Sequence, residues 1–182
     1  MVTPMKTIVT PMKTKAQRKN KADGGVLVKT RTVHGKGNGV FAAMDIQKNA
    51  RILQFNGHLG TDKDTSDTAL EVGEGLFLEH AVLPHGHINH SCWPNARIDW
   101  SDLWLRATRR IECGEEITVH YGTFAYDEVN LEKNHSFTCH CGESGCVGTF
   151  RGFRYLDRED KRRVAPTAAD HVIRSFLRDL GE

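Results

Sequence analysis

Apolar residues come in short runs along most of this chain, broken every few positions by glycine, proline or acidic turn formers. That pattern predicts strands, because runs this short bury a pleated ribbon but not a helical face. β-Branched residues crowd Val26–Val33, and Val40-Phe41-Ala42-Ala43 follows a glycine-rich turn, so both stretches read as strands. Arg51–Phe55 is a third. Ala69–Val72 and Leu76–Glu79 flank Gly73-Glu74-Gly75, the signature of a hairpin. Ala96–Trp100 and Leu103–Ala107 alternate around Ser101-Asp102 and predict a second hairpin. Ile111–Tyr121 reads as a turn entering a strand. The period changes only near the end. Asp157–Val164 reads as a short charged helix stopped before Pro166. Thr167-Ala168-Ala169-Asp170 has the form of a capping box for a helix whose apolar face is Val172, Ile173, Phe176, Leu177 and Leu180 and whose end is Gly181. The fold class expected is mainly β with C-terminal helices.

Charge distribution adds to this picture more than total charge does. The formal net charge of +2 and mean hydropathy of −0.48 fit a polar single domain. Residues 1–24, however, carry Lys6, Lys13, Lys15, Arg18, Lys19 and Lys21 against Asp23, and repeat Val-Thr-Pro-Met-Lys-Thr at 2–7 and 9–14. So few apolar side chains cannot offset ordering entropy, and a solvated basic tail is expected there. Asp62, Asp64, Asp67, Glu71, Glu74 and Glu79 form an acidic stretch that suits a lysine-rich peptide partner and speaks against direct nucleic-acid binding. No apolar run is long enough to span a bilayer, and the N-terminus lacks the apolar core of a secretory signal. Five cysteines in that setting point to thiols or a metal in an intracellular protein, cytoplasmic or nuclear.

Three stretches carry chemistry that no periodicity requires. Asn89-His90-Ser91-Cys92-Trp93-Pro94-Asn95 packs amides, an imidazole, a hydroxyl and a thiol around one proline. It contains a turn, and Asn89-His90-Ser91 is also a formal glycosylation sequon, a reading that needs secretion. Gly35-Lys36-Gly37-Asn38-Gly39 places alternate glycines where a backbone is pressed close to something. A strand follows it where a dinucleotide fingerprint would need a helix. Cys139-His140-Cys141-Gly142-Glu143-Ser144-Gly145-Cys146 has the density and glycines of a metal knuckle.

Asn-His-Ser-Cys-x-Pro-Asn at 89–95 resembles the central motif of SET-domain protein-lysine methyltransferases. Gly-x-Gly-Val-Phe-Ala at 37–42 resembles that family's opening loop, and Gly114-Glu115-Glu116-Ile117-Thr118 with Tyr121-Gly122 its second signature. The resemblance spans roughly residues 25–153. It implies a β-clip of small sheets around a knot-like core, with residues 89–95 threaded under the segment ending at Tyr121. Its implied division is a tail (1–24), a SET domain (25–123), a linker and post-SET zinc segment (124–153) and C-terminal helices (154–182). It implies transfer of a methyl group from S-adenosylmethionine to a lysine ε-amine of a basic protein, histone or other. The alternative is a catalytically weak SET-fold module that holds a peptide. Carried over residue by residue, Tyr121 is the catalytic hydroxyl. Lys36, Gly37, Asn38, Asn89, His90, Tyr121 and Phe150 are cofactor-binding, with Phe153 a second choice for the adenine. Zn2+ needs four N or S ligands. Cys139, Cys141 and Cys146 supply three and Cys92 can supply the fourth, as in the family's post-SET site; His140 or His135 replacing one ligand stays open. Cys113 is left over. Two departures stand out: Val119 lies where many relatives have Phe or Tyr, which leaves the number of methyls open. No second channel tyrosine precedes the central motif, which leaves two alternatives: His87 or Phe77 substitutes, or the site is slow.

Overall fold

A computed structural model of the chain describes residues 28–33, 35–61, 69–79, 84–129 and 135–181. The expected basic tail and the acidic residues Asp62, Asp64 and Asp67 lie outside these. The first sheet is built from β1 (Val28–Val33), β2 (Gly37–Ala42), β10 (Glu116–Val119) and β7 (Asn89–His90), in the order β1-β2-β10-β7. Gly35 and Gly37, at φ 76° and 75°, make the turn between β1 and β2, a conformation side chains disfavour. A second sheet has the order β3-β9-β8, from β3 (Arg51–Gln54), β9 (Trp104–Ala107) and β8 (Ala96–Asp99). A third has the order β4-β6-β5, from β4 (His58–Thr61), β6 (Leu76–Glu79) and β5 (Leu70–Gly73). Both hairpins expected from the sequence are present as antiparallel pairs. β4 was not expected. It is a strand because β6 offers a full antiparallel register, His58 opposite Glu79 through Thr61 opposite Leu76.

Val40, Ile46, Ile52, Leu105, Ile111 and Ile117 form the middle of the core and are essentially inaccessible to water. Above it the chain threads. β7 runs parallel to β10, Thr118 opposite Asn89 and Val119 opposite His90. Asn95 locks the crossing: its Nδ2 donates to Glu116 O at 2.8 Å, and its Oδ1 accepts from Thr118 N at 3.0 Å. An amide can serve both backbone groups at once, which an acid or a hydroxyl cannot do in the same geometry. The knot-like core implied by the resemblance is thus present.

The C-terminal third forms the short pair β11 (Phe137–Thr138) and β12 (Thr149–Phe150), then α1 (Arg158–Val164) and α2 (Asp170–Leu180). Asp157 caps α1 by accepting from Asp160 N at 2.7 Å. The helix passes into a tight turn, Ala165–Thr167, that contains Pro166. The capping box expected at Thr167 does not form. Thr167 Oγ1 donates back to Val164 O, Ala169 is the N-cap, and its N–H goes instead to Thr123 O at 2.7 Å. Gly181, at φ 82°, ends α2 as expected. Val172 and Phe176 turn inward onto Phe153, Leu156 and Val164, a small second core, while Leu177 and Leu180 are exposed.

Candidate active site

The parallel pairing of β7 with β10 brings Asn89 and His90 beside Tyr121. His90 accepts from Tyr121 N through Nδ1 at 3.1 Å, and its ring lies against Phe150, with centroids 4.9 Å apart, and against His120 at 4.8 Å. Burial, reinforced by the charges of Lys36 and Arg163, pushes His90 down to about 3; burial and the neighbouring imidazole push His120 down to about 2. Both rings are therefore neutral at physiological pH. His120 caps the turn after β10 by accepting from Gly122 N at 3.1 Å. Tyr121 donates its hydroxyl to Ile88 O at 2.9 Å, and burial, with Glu116 nearby, raises that phenol to about 12. It stays protonated and can only orient, not take, a proton.

Two cavities meet at this tyrosine. The larger, about 440 Å³, runs between the Gly35-Lys36 turn and Asn89-His90 on one side and the Phe137–His140 segment on the other. Its polar wall is a chain of contacts. Lys36 Nζ reaches Glu116 Oε2 at 3.2 Å, Glu116 Oε1 accepts from Asn89 Nδ2 at 2.7 Å, and the same Nδ2 also donates to Asn38 O at 3.1 Å. Gly39 lies under this chain, where a Cβ would sit 2.6 Å from Glu116 Oε1. The smaller cavity, about 90 Å³, is walled by Phe55, Leu70, Ile88, Val119 and Phe124. Its only polar side chains among the described residues are His85 and Tyr121. His85 is held by a hydrogen bond between its Nε2 and Gln54 O. Tyr121 alone, among the described residues, lines both spaces. A roomy polar and aromatic cleft and a small apolar cavity that share one phenol as a wall can hold a large ligand and a thin aliphatic chain on its two sides.

Lys36, Asn89, His90 and Tyr121, four of the residues expected to bind the cofactor, line the larger cleft. Gly37 and Asn38 are exposed in the turn behind it; Asn38 acts through its carbonyl on Asn89. Phe150 is 1 % exposed and lies behind the wall, packed under His90 and Phe137, and Phe153 is buried in the second core. Phe137, the residue opposite Phe150 in the β11–β12 pair, faces the cleft instead. Directly opposed residues of an antiparallel pair share a face, so alternation does not separate these two rings, which lie 5.4 Å apart, and Phe150 sits beneath Phe137. The slot-lining histidine is His85 and not His87, and Phe77 stands on β6 outside the slot.

Cys92, Cys139, Cys141 and Cys146 bring their sulfurs within 4.8 Å of one another, with Cys92 and Cys139 3.9 Å apart. Four thiolates around Zn2+ at about 2.3 Å would be about 3.8 Å apart, so the donor set fits that ion. On balance burial opposes ionisation at two of the four thiols. Burial pushes Cys92 far up and Cys139 up to about 11. At Cys141 burial acts the same way, but backbone N–H groups and the neighbouring thiols bring it down to about 7. A dry pocket that opposes ionisation needs a cation to hold thiolates. Cys113 is exposed and apart from the group, and neither His135 nor His140 belongs to it.

The family model described as SET domain matches residues 37–122. Histone-lysine N-methyltransferase 2D of Homo sapiens is 28% identical over 131 residues, covering 61% of this chain and 2% of that protein. The H3 lysine-36 specific histone-lysine N-methyltransferase of Saccharomyces cerevisiae is 28% identical over 143 residues, covering 67% of this chain and 19% of that protein. The chain thus spans a small part of the length of these curated relatives. Among solved structures, KRYPTONITE in complex with mCHG DNA and SAH aligns with a TM-score of 0.57 at 21% identity, over 74% of this chain and 30% of that one. KRYPTONITE with mCHH DNA, an H3(1-15) peptide and SAH aligns equally well at 22% identity. These two show the fold.

Proposed function

The chain carries a SET domain over residues 37–122, and from that premise we propose that it transfers methyl groups from S-adenosylmethionine to the ε-amine of a lysine in a basic protein. The observation that carries the proposal is the position of Tyr121 between the two cavities. The cofactor would lie in the larger cleft, against Lys36, Asn89, His90 and Phe137, and would supply an electrophilic sulfonium methyl. The lysine stem would fill the slot, whose walls match methylene groups in being apolar.

The difficulty in this chemistry is the amine's proton. A free lysine has a pKa near 10.4, so a neutral amine near pH 7.4 costs about 4 kcal/mol. Phe55, Leu70, Ile88, Val119 and Phe124 leave little water in the slot, and desolvation favours the neutral form. Tyr121 is the catalytic residue in this reading: its hydroxyl is fixed on Ile88 O and presents its lone pair at the junction. Holding two reacting atoms in line is worth about 7–11 kcal/mol. His85, across the slot, takes the place of a second channel hydroxyl. Val119 keeps one wall small.

Among the similar proteins, one is a histone-lysine methyltransferase specific for H3 lysine-36, and KRYPTONITE is in complex with an H3 peptide and DNA. For this chain we propose a lysine-bearing basic protein. The acidic steering expected from the sequence is weaker than its charge count suggests, because Glu74 is paired with Arg178 at 2.9 Å. Among the described residues no helix is long and apolar enough to cross a membrane. Zn2+ in the four-cysteine group would be structural, since all four positions of a tetrahedral ion are taken.

The test is incubation of the chain with methyl-labelled cofactor and a panel of basic proteins and peptides. Label recovered on lysine supports the proposal. Cofactor bound without transfer to any member of the panel, or no cofactor binding at all, refutes the methyl-transfer reading and leaves a peptide-holding module.

A further inference from the structure

His90 has both ring nitrogens engaged, and they lead in opposite directions. The backbone N–H of Tyr121 donates to Nδ1 at 3.1 Å. A nitrogen that accepts cannot hold the proton, so in the neutral ring the proton is on Nε2. Nε2 lies 3.4 Å from Cys92 Sγ. The same sulfur receives Val147 N–H at 3.5 Å. Cys92 is wholly buried, so its sulfur has no water to turn to. A divalent ion held by four thiolates carries a net charge of −2, and N–H donors on the sulfurs are what spread that charge.

We propose that His90 is a positioning residue that ties the metal-bound Cys92 sulfur to the backbone of Tyr121, so that the metal centre fixes where the Tyr121 phenol stands between the two cavities. The inference rests on the metal and methyl-transfer reading above and adds the physical link between them. The ring is well placed to transmit position. It is edge-on to His120 and Phe137 and tilted on Phe150, which leaves it no room to swing. Cys92 itself is anchored from the far side, where Arg163 Nη1 donates to Cys92 O at 2.6 Å and stacks 4.2 Å from the Trp93 ring. A shift of the sulfur is therefore passed to the ring, and from the ring to Tyr121 N. One imidazole does this because it donates at one end and accepts at the other.

The test uses the full chain loaded with Zn2+ or with 113Cd2+, and the variant His90→Phe, which keeps an aromatic ring, somewhat larger, and loses both hydrogen bonds. Transfer of Zn2+ to a chromogenic chelator should be roughly 10- to 100-fold faster in the variant, the usual effect of losing an outer-shell partner. The Tyr121 amide resonance should move when Zn2+ is exchanged for Cd2+, and in His90→Phe it should stop responding. In the unmutated Cd2+ form the Nε2 proton should show scalar coupling to 113Cd across the N–H···S bond, a readout that stands even if His90→Phe does not fold. An Nδ1-protonated ring, or a folded variant with unchanged metal release and an unchanged Tyr121 response, overturns the link. None of these readouts involves methyl transfer. A chain that shows the link but methylates nothing refutes the proposed function alone. One that takes up neither ion refutes the metal reading, and the link falls with it.

Discussion

Replacing Tyr121 with phenylalanine removes one oxygen from the junction of the two cavities. The ring keeps its neighbours, with Phe124 and His90 centroids 5.3 and 5.4 Å away, so no cavity opens. What is lost in the fold is the bond to Ile88 O at 2.9 Å. Such a bond contributes about 1 kcal/mol net, and for a chain of this size that lowers the Tm by about 2–4 °C. What is lost in the reaction is larger. A fixed polar group aimed at a reacting centre is typically worth a factor of about 10²–10³ in turnover. The expected profile is thus a nearly native melting curve and cofactor affinity within a few-fold of the parent. kcat should fall by two to three orders of magnitude (about 10²–10³), with little change in peptide KM. Thermal unfolding, calorimetric titration with the cofactor, and methyl transfer to a basic protein measure the three separately. Undiminished kcat would remove Tyr121 from the catalytic role. Loss of cofactor binding in step with kcat would make it a wall of the cleft and nothing more.

Gly39→Ala should destabilise the chain by about 1–3 kcal/mol by overpacking and weaken cofactor binding. Its Cβ would come within 2.6 Å of Glu116 Oε1 and 2.8 Å of Val33 Cγ2, and Glu116 holds both Lys36 and Asn89; unchanged affinity would show that this chain of contacts does not shape the cleft. Elemental analysis should find one Zn2+ in the parent and in Cys113→Ser but not in Cys141→Ser. Proteolysis of the metal-free chain should cut first within residues 137–150 rather than throughout the C-terminal third, because α1 and α2 have a core of their own around Phe153 and Val172. Even cutting from 139 to the end would show that this second core depends on the metal. Stability should fall with acid from about pH 6.5, since the unfolded chain takes up a proton at His120 that the folded chain, with that ring pushed down to about 2, refuses. The share of His120 in that slope approaches about 1.4 kcal/mol per pH unit, beside the share of His90, pushed down to about 3, and His120→Asn, whose amide oxygen can still accept from Gly122 N, should lose its own share in denaturant titrations at pH 7, 6 and 5. An identical slope in that variant would place the proton elsewhere.

Much of this architecture is written in local signals. Turn glycines and alternation mark the hairpins over 70–79 and 96–107, because φ > 0 and a period of two are properties of neighbouring residues. Asp157 and Gly181 mark helix ends for the same reason. The Cys139–Cys146 knuckle is dense enough to be read as a metal site without knowing where it lies. Tertiary structure decided what depends on partners distant in the chain. β4 exists because β6 has a free edge in register with it. The start of α2 is satisfied by Thr123 O, so the capping chemistry of Thr167 goes unused there. Phe137 rather than Phe150 faces the cleft because the two share a face and one covers the other, and His85 rather than His87 lines the slot because a single turn carries no period from which a facing can be read. Most of all, the parallel pairing of Asn89-His90 with Thr118-Val119 sets one imidazole between Cys92 and Tyr121. Each of those residues can be picked out from its own motif. That His90 touches both follows only from the crossing of two strands that the sequence separates, where Asn95 makes the hydrogen bonds that hold them.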